Sequence, residues 1–375
     1  MKSASDVIVI GAGIIGCAIA YRLAQAGMRV TVIEKGRPGE EASRAAAGML
    51  APYAEEAHGL NSPLAELCYA SLAIYPDFVT ELEDNTGIKI GYQTKGSIYV
   101  ATDYKEAQIL AGLLERHHRA NKQAKELSAK QIQEMEPALA QNIQVGVHLP
   151  YDHYVNNREL MTALVTAAIG QKVEFLTGTP VMGYEFSQER VEGVRVPGQV
   201  VKGKIVVNAA GCWAGLLDDS NRISLPVRPI RGQMVCLKRQ PQLLHHLIHS
   251  TAGYLVPWPD GRILVGSTVE NVGYQKDVSA QGIHQLLEGA LKIVPDLASA
   301  PIREVWAGLR PDTQDNLPIL GRCHYSNLII ASGHFRNGIL LAPITAKLIT
   351  ELIVNGQPSM SLAPFSPDRF VETIN

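Results

Sequence analysis

The sequence has almost no charge imbalance. Lys and Arg total 34 against 36 Asp and Glu, a formal net charge of -2, which argues against nucleic acid or an anionic membrane as the main partner. Cysteine is sparse: Cys17, Cys68, Cys212, Cys236 and Cys323 are five in number, widely spaced and without a CxxC pair. That argues against a disulfide framework and a structural zinc site, and fits free thiols in a reducing cytoplasm. No run of about 18 apolar residues escapes a charge or a turn signal, so no membrane-spanning helix is expected. Asp6 and the glycines at 11, 13 and 16 break the N-terminal apolar stretch in a way a signal peptide does not. Internal repeats and low-complexity linkers are absent. What remains is a globular chain of 375 residues, 46% hydrophobic and 19% charged, long enough for two domains.

The first 34 residues carry the strongest pattern. Val7-Ile8-Val9-Ile10 is a short β-branched run of the kind buried on both faces of a parallel sheet. Gly11-Ala12-Gly13-Ile14-Ile15-Gly16 follows, then a helix ending near Gly27, then a strand over Arg29 to Glu34. In such a unit the first glycine permits the tight turn, the second lets backbone approach a pyrophosphate, and the third lets helix pack on strand. Unpaired N–H groups of Ile14 and Ile15 at the helix start point to the phosphates, and Glu34 to ribose hydroxyls. Together these predict dinucleotide binding.

Further along, Ser43 to Met49 is small and flexible, Leu64 to Thr86 reads as helix, and Gly96 to Ala101 as strand. Residues 103–139 are helical in character, Gly170 to Glu185 and Val191 to Val207 are β-rich, and 226–269 carries strands. A helix is expected over Gly282 to Ile293, a buried strand over Asn327 to Gly333, and a last helix near 338–355. The expected fold is α/β: a Rossmann-like FAD-binding domain from 1–86, 150–222 and 310–375, and a second, α+β substrate-binding domain on an antiparallel sheet from 87–149 and 223–309.

Three features favour FAD over a nicotinamide. Val206 to Gly211, followed by Cys212-Trp213-Ala214, resembles the second fingerprint of two-dinucleotide-binding flavoproteins. The small residues of 43–49 let backbone lie close to a flat ring. The loop His334-Phe335-Arg336-Asn337 leads into a helix whose first N–H groups, on Gly338, Ile339 and Leu340, would favour negative charge on a reduced flavin.

On these segments, and above all on Ala307-Gly308-Leu309-Arg310-Pro311 with Gly333 to Leu340, the sequence resembles the glycine oxidase family of the D-amino-acid oxidase superfamily, a group tied to thiamine biosynthesis. The matching segments run from Val7 to Pro343. The resemblance implies that Arg310 holds the substrate carboxylate, that Tyr254 adds a hydroxyl, and that Arg336 lies at the edge of the site beside flavin and substrate. It implies cofactor contacts at Ile14, Ile15, Glu34, Lys35, Ala42, Ser43, Ala47, Gly48 and Met49, and at Val181 beside the adenine. A guanidinium suits a carboxylate buried beside a flavin.

The implied activity is oxidative deamination of glycine, sarcosine or D-alanine by hydride transfer to FAD, with oxygen reduced to hydrogen peroxide. The resemblance also implies a homotetramer. Rivals are a D-amino-acid dehydrogenase or sarcosine oxidase of the same superfamily, and a flavin-binding accessory subunit without turnover. Monomeric sarcosine oxidases attach flavin through a cysteine near the position of Leu309 and Arg310. No cysteine stands there in this chain, so FAD is expected to be non-covalent. His245, His246 and His249 cluster, but without a carboxylate or cysteine at ligand spacing they read as a surface loop, and no metal is expected. His334 flanks the last helix, where it could tune the flavin or make a structural hydrogen bond.

Overall fold

The computed structural model describes residues 5–52, 59–188, 190–218, 223 and 225–370; the expected domain boundary after 222 lies outside them. In chain order the elements begin with β1 (Ser5–Ile10), α1 (Ile14–Gln25), β2 (Val30–Ile33), α2 (Ala42–Ala45), β3 (Met49–Leu50) and α3 (Pro63–Thr86). They continue with β4 (Ser97–Ala101), α4 (Tyr104–Arg119), β5 (Lys125–Ser128), α5 (Ala129–Met135), β6 (Val145–Leu149), β7 (His153–Tyr154) and α6 (Asn157–Gly170). Then come β8 (Glu174–Leu176), β9 (Gly183–Ser187), β10 (Arg190–Val196), β11 (Gln199–Asn208), β12 (Val227–Lys238), β13 (Leu247–Ser250), β14 (Gly253–Pro257) and β15 (Arg262–Gly266). The chain closes with α7 (Ala280–Ile293), β16 (Ile302–Thr313), β17 (Ile319–Arg322), β18 (Leu328–Ser332) and α8 (Gly338–Val354).

The first sheet runs β17-β18-β11-β1-β2-β8, with the β9–β10 ribbon joined to β11. β1 pairs in parallel with both β2 and β11, and β11 with β18. Alternation sorts its apolar residues onto two cores. Val7 and Val9 pack under α1, α3, α6 and α8, while Ile8 and Ile10 pack against Tyr184, Val191 and Val194 of the ribbon. Both faces are thereby covered, which is why Val7–Ile10 of β1 and Leu328–Ala331 of β18 are apolar throughout.

The second sheet runs β16-β12-β15-β14-β13-β4-β6-β5 and is antiparallel except where β13 meets β4. Val235, Leu237, Leu255 and Val265 face the core shared with α7. Met234, Cys236, Tyr254 and Val256 turn the other way, towards Ala47, Met49 and Tyr154 of the first unit. The α/β fold with a parallel sheet and a second antiparallel sheet is as expected from sequence.

Several local expectations need correction. Residues 103–139 are not one helical block: β5 intervenes, and Ser128 caps α5 with a reciprocal Gln131 capping box. The 43–49 segment is not loose. It holds the end of the α2 turn and the start of β3, which pairs with β7. Helix α6 is an addition, started by Asn156, whose side chain accepts from the Arg158 and Glu159 N–H groups. β16 is one continuous 12-residue strand through Arg310, so a boundary at 310 cuts it; its pairing to β12 is unbroken from Val227↔Thr313 to Cys236↔Glu304.

The histidine cluster is a surface loop only in part: His245 is exposed between β12 and β13, but the other two are not exposed. His249 is buried in β13 and stacks on Tyr99, with ring centres 4.4 Å apart. The His246 ring meets the wholly buried Glu136 carboxylate at 2.7 Å, and Glu136 also accepts from the His245 and His246 N–H groups. A carboxylate 110 residues away in sequence supplies the partner that local spacing could not reveal.

Candidate active site

A cavity of about 400 Å³ opens at the C-terminal ends of β1, β11 and β18 and is closed on its far side by the Met234–Tyr254 face of the second sheet. This is where ligands sit in open parallel sheets. Gly11, with φ +96°, makes the turn after β1, and a Cβ there would lie 2.6 Å from the Ala209 carbonyl oxygen. Gly16 does not reach the cavity. A Cβ on it would strike the Gly11 carbonyl at 2.0 Å, so it serves the close helix–strand approach.

Helix α1 starts at Gly13 without a side-chain cap. The Ile14 N–H, expected to be open, donates to Ser43 Oγ at 2.9 Å, which ties the 43–49 segment to the glycine turn. The Asn157 side chain in turn donates to the Ser43 carbonyl at 2.6 Å. Glu34 accepts from the Ala12 and Gly36 N–H groups, both at 2.8 Å. A carboxylate has about four acceptor positions, so two backbone donors leave capacity for ribose hydroxyls.

Helix α8 presents a second uncapped start, with Gly338 and Ile339 on the cavity wall. Pro343 has no N–H to give the Ile339 carbonyl. Tyr75 Oη donates to that oxygen at 3.1 Å, and Ser71 Oγ donates to the Leu340 carbonyl at 2.5 Å. These bonds fix the start of α8 against α3. Leu340 faces that core, not the cavity, and Asn337 is buried as the residue before the helix, its N–H donating to the His334 carbonyl at 2.8 Å. His334 lines the cavity, its Nε2 is 3.1 Å from Thr345 Oγ1, and burial pulls it down to about 3, so it is neutral at physiological pH.

Ile15, Lys35, Ala42, Ala47, Gly48, Met49, Val181 and Gly211 all line the same cavity. Lys35 Nζ stands 3.1 Å over the Trp213 ring and 3.3 Å from Glu41, which Lys276 also reaches at 3.0 Å. Gly48, with φ +81°, lies so close to β7 that a Cβ would fall 1.9 Å from the Val155 carbonyl. Cys212 is on the wall too. Burial pushes its thiol up to about 12, so it is protonated and a poor nucleophile.

Arg310, Tyr254 and Arg336 come together on the wall formed by the second sheet and the start of α8. Arg310 Nη2 donates to Ser267 Oγ at 2.5 Å and Nη1 to the Thr268 carbonyl at 3.2 Å. Its head occupies the space over Gly232, where a Cβ would come within 2.3 Å of Nη2. Tyr254 Oη contacts Met234 Sδ at 3.4 Å. Sequence reasoning did not single out Ser267, Gly232 or Met234, because their part depends on cross-strand register. Among the described residues no three His, Cys, Asp or Glu side chains are grouped to hold a metal ion.

A glycine turn and two helix starts around one cavity at the C-terminal ends of parallel strands define a dinucleotide-binding protein. The chain belongs to the FAD dependent oxidoreductase family, DAO, which it matches over residues 6–352. It is 38% identical over 369 residues to a protein named bifunctional protein ThiO/ThiG from Trichormus variabilis, a match covering 97% of this chain and 55% of that protein. The chain thus spans about half the length of such bifunctional relatives. It is 36% identical to glycine oxidase of Geobacillus kaustophilus, covering 98% and 97% of the two chains. The crystal structure of glycine oxidase from Geobacillus kaustophilus matches with a TM-score of 0.93 at 35% identity, over 98% of this chain and 99% of that one.

The residues fit FAD. The turn at Gly11 tolerates no side chain, two helix starts offer N–H groups, and Glu34 retains acceptor positions.

Proposed function

We propose that the chain oxidises glycine and other small amino acids, sarcosine and D-alanine among them, to the oxo acid with release of ammonia or amine. The observation that carries this reading is the convergence of Arg310, Tyr254 and Arg336 on the cavity that also holds the Gly11 turn and the start of α8. Arg310 takes the substrate carboxylate in a two-pronged contact, Tyr254 adds its hydroxyl, and Arg336 bounds the site at its edge. Bound along Gly11, Gly13, Glu34 and Ser43, FAD supplies the hydride acceptor. The chain's own task is then to orient the α-carbon and exclude water, which needs little acid–base catalysis. The imine product hydrolyses in water, and oxygen accepts the electrons to give hydrogen peroxide.

The segments 1–86, 150–222 and the part beyond β16 serve the cofactor in this scheme, and the remainder serves the substrate. The resemblance to thiamine-linked glycine oxidases supports a cytoplasmic homotetramer, and five buried free thiols agree with a reducing compartment. The cofactor is held without a covalent bond: acid should release all yellow colour from the precipitated protein, and retained colour would refute this.

An oxygen-electrode assay of the FAD-loaded protein with glycine, sarcosine, D-alanine and L-alanine tests the reaction. Uptake with glycine, sarcosine or D-alanine is expected. Turnover with an artificial dye but not with oxygen would make the chain a dehydrogenase. No turnover with either acceptor would overturn the reading in favour of a non-catalytic flavoprotein.

A further inference from the structure

Several arginines pair with carboxylates. Arg231 pairs with Glu270, Arg158 with Glu304 and Arg228 with Asp312. Arg310 donates to two neutral oxygens. Ser267 Oγ and the Thr268 carbonyl accept from its two terminal nitrogens. These two bonds orient the arms of the guanidinium. Two bonds to different nitrogens also fix the plane of the fork, and a two-pronged carboxylate contact depends on that plane.

The two acceptors are themselves fixed. Ser267 follows β15, and the next residue, Thr268, accepts from the Gln233 N–H through Oγ1 at 2.9 Å. The fully buried Gln233 side chain donates to Glu270 and Ser279 and accepts from the Ser279 N–H at 2.8 Å. Gly232 beside it leaves the space that the guanidinium fills.

We propose that Ser267 is a positioning residue for carboxylate substrates, holding the Arg310 fork in the plane that receives the carboxylate. The proposal rests on Arg310 as the carboxylate anchor. Its consequence is a binding effect and not a chemical one: the hydroxyl acts on ligand recognition through Arg310, while the α-carbon chemistry proceeds once a substrate is seated.

The test measures the dissociation constant of glycolate, a carboxylate without the amine, from the visible spectrum of the FAD-loaded protein, alongside steady-state kinetics with glycine. A hydrogen bond to a charged group typically contributes enough that Ser267→Ala should weaken glycolate about 10-fold. KM for glycine should rise by a similar factor while kcat stays within about 2-fold, the mark of lost uniform binding. Ser267→Thr, which keeps the hydroxyl, should restore most of the loss. In an Arg310→Ala background, Ser267→Ala should add nothing further, because its effect runs through that guanidinium.

Unchanged glycolate binding in Ser267→Ala, with Arg310→Ala strongly impaired, would overturn the proposal and leave the anchor intact. Additive losses in the double variant would overturn it as well. If Arg310→Ala itself binds glycolate like the parent, the anchor assignment fails first, and that result is read independently of Ser267.

Discussion

The two sheets bound one cavity and contribute to it in opposite ways. The parallel sheet gives backbone: the Gly11 turn, the start of α1 at Gly13, the Gly48 strand approach and the start of α8. The antiparallel sheet gives side chains: Tyr254 from β14, Met234 from β12 and Arg310 from β16. Backbone sites depend on conformations that only glycine reaches and on close approaches that no Cβ survives. Side-chain sites depend on which residues register places opposite each other. Damage on the first side should therefore cost cofactor and fold together, and damage on the second should cost substrate alone.

The sharpest way to break that contrast is Gly48→Ala. Its Cβ would lie 1.9 Å from the Val155 carbonyl at a φ of +81°, disturbing the β3–β7 pairing that places Met49. Destabilisation of about 3 kcal/mol or more is expected, with loss of bound FAD. A yellow protein that melts at the parent temperature would show that this backbone approach is dispensable.

Arg310→Ala probes the other side. FAD content and melting temperature should hold, and KM for glycine should rise at least about 30-fold, since truncating one partner of a buried charge pair costs about 2–5 kcal/mol. Arg310→Lys should recover only part, lacking the planar fork. Loss of FAD along with substrate would erase the distinction between the two walls.

What could be seen in the sequence follows the same division. The β1–α1–β2 unit is legible because its residues interact locally: a buried apolar strand, a glycine turn and an acid at the end of the next strand lie within 34 residues. The roles proposed for Arg310, Tyr254 and Arg336 come through resemblance, supported at Arg310 and Arg336 by positions that are poor places for an idle charge. Ser267 and Gly232 stayed hidden because their roles arise from strand pairing, Gly232 opposite Gly308 and Ile230 opposite Arg310. β16 was hidden by Gly308 and Pro311, which usually argue against a strand. α6 gave little helical signal because it is apolar on several sides, packing against α1 and α3. His249 looked like a loop residue because its neighbour Tyr99 comes from β4, which pairs with β13 only in the folded sheet.

Acid stability should sharpen the comparison, because each sheet carries or adjoins a buried neutral histidine. His334 stands before α8, and His249 lies in β13 with Tyr99, Tyr254 and the Arg336 guanidinium around it. Burial pulls both down from 6.5 to about 3, helped at His249 by Arg336. Between those values the unfolded chain binds protons that the native chain refuses, so stability falls as pH drops below 6.5. The slope approaches about 1.4 kcal/mol per pH unit for each group, or roughly 2 kcal/mol each by pH 5. Carboxylates held below their usual range act in the same direction but lower in pH. Urea midpoints should therefore fall between pH 7 and 5, and His249→Phe should flatten the fall. Midpoints that do not move over this interval would mean that both rings protonate freely in the fold.

The smallest effect is expected at Tyr254. Its hydroxyl is part of the wall built from the second sheet, and its contact in the protein is the weak acceptor Met234 Sδ at 3.4 Å. Removing it leaves no strong buried acceptor stranded, so Tyr254→Phe should keep its FAD and its melting temperature within a degree or two. On the proposed role, what it loses is one contact to the substrate carboxylate. A single hydrogen bond to a charged group that Arg310 still holds should be worth about 1.5 kcal/mol, which is roughly a 10-fold rise in KM for glycine at most. Glycolate should weaken by the same factor, because it shares the carboxylate. A drop in kcat without a change in glycolate binding would place the hydroxyl at the reacting α-carbon and not at the carboxylate, giving this wall a part in the chemistry beyond holding the substrate.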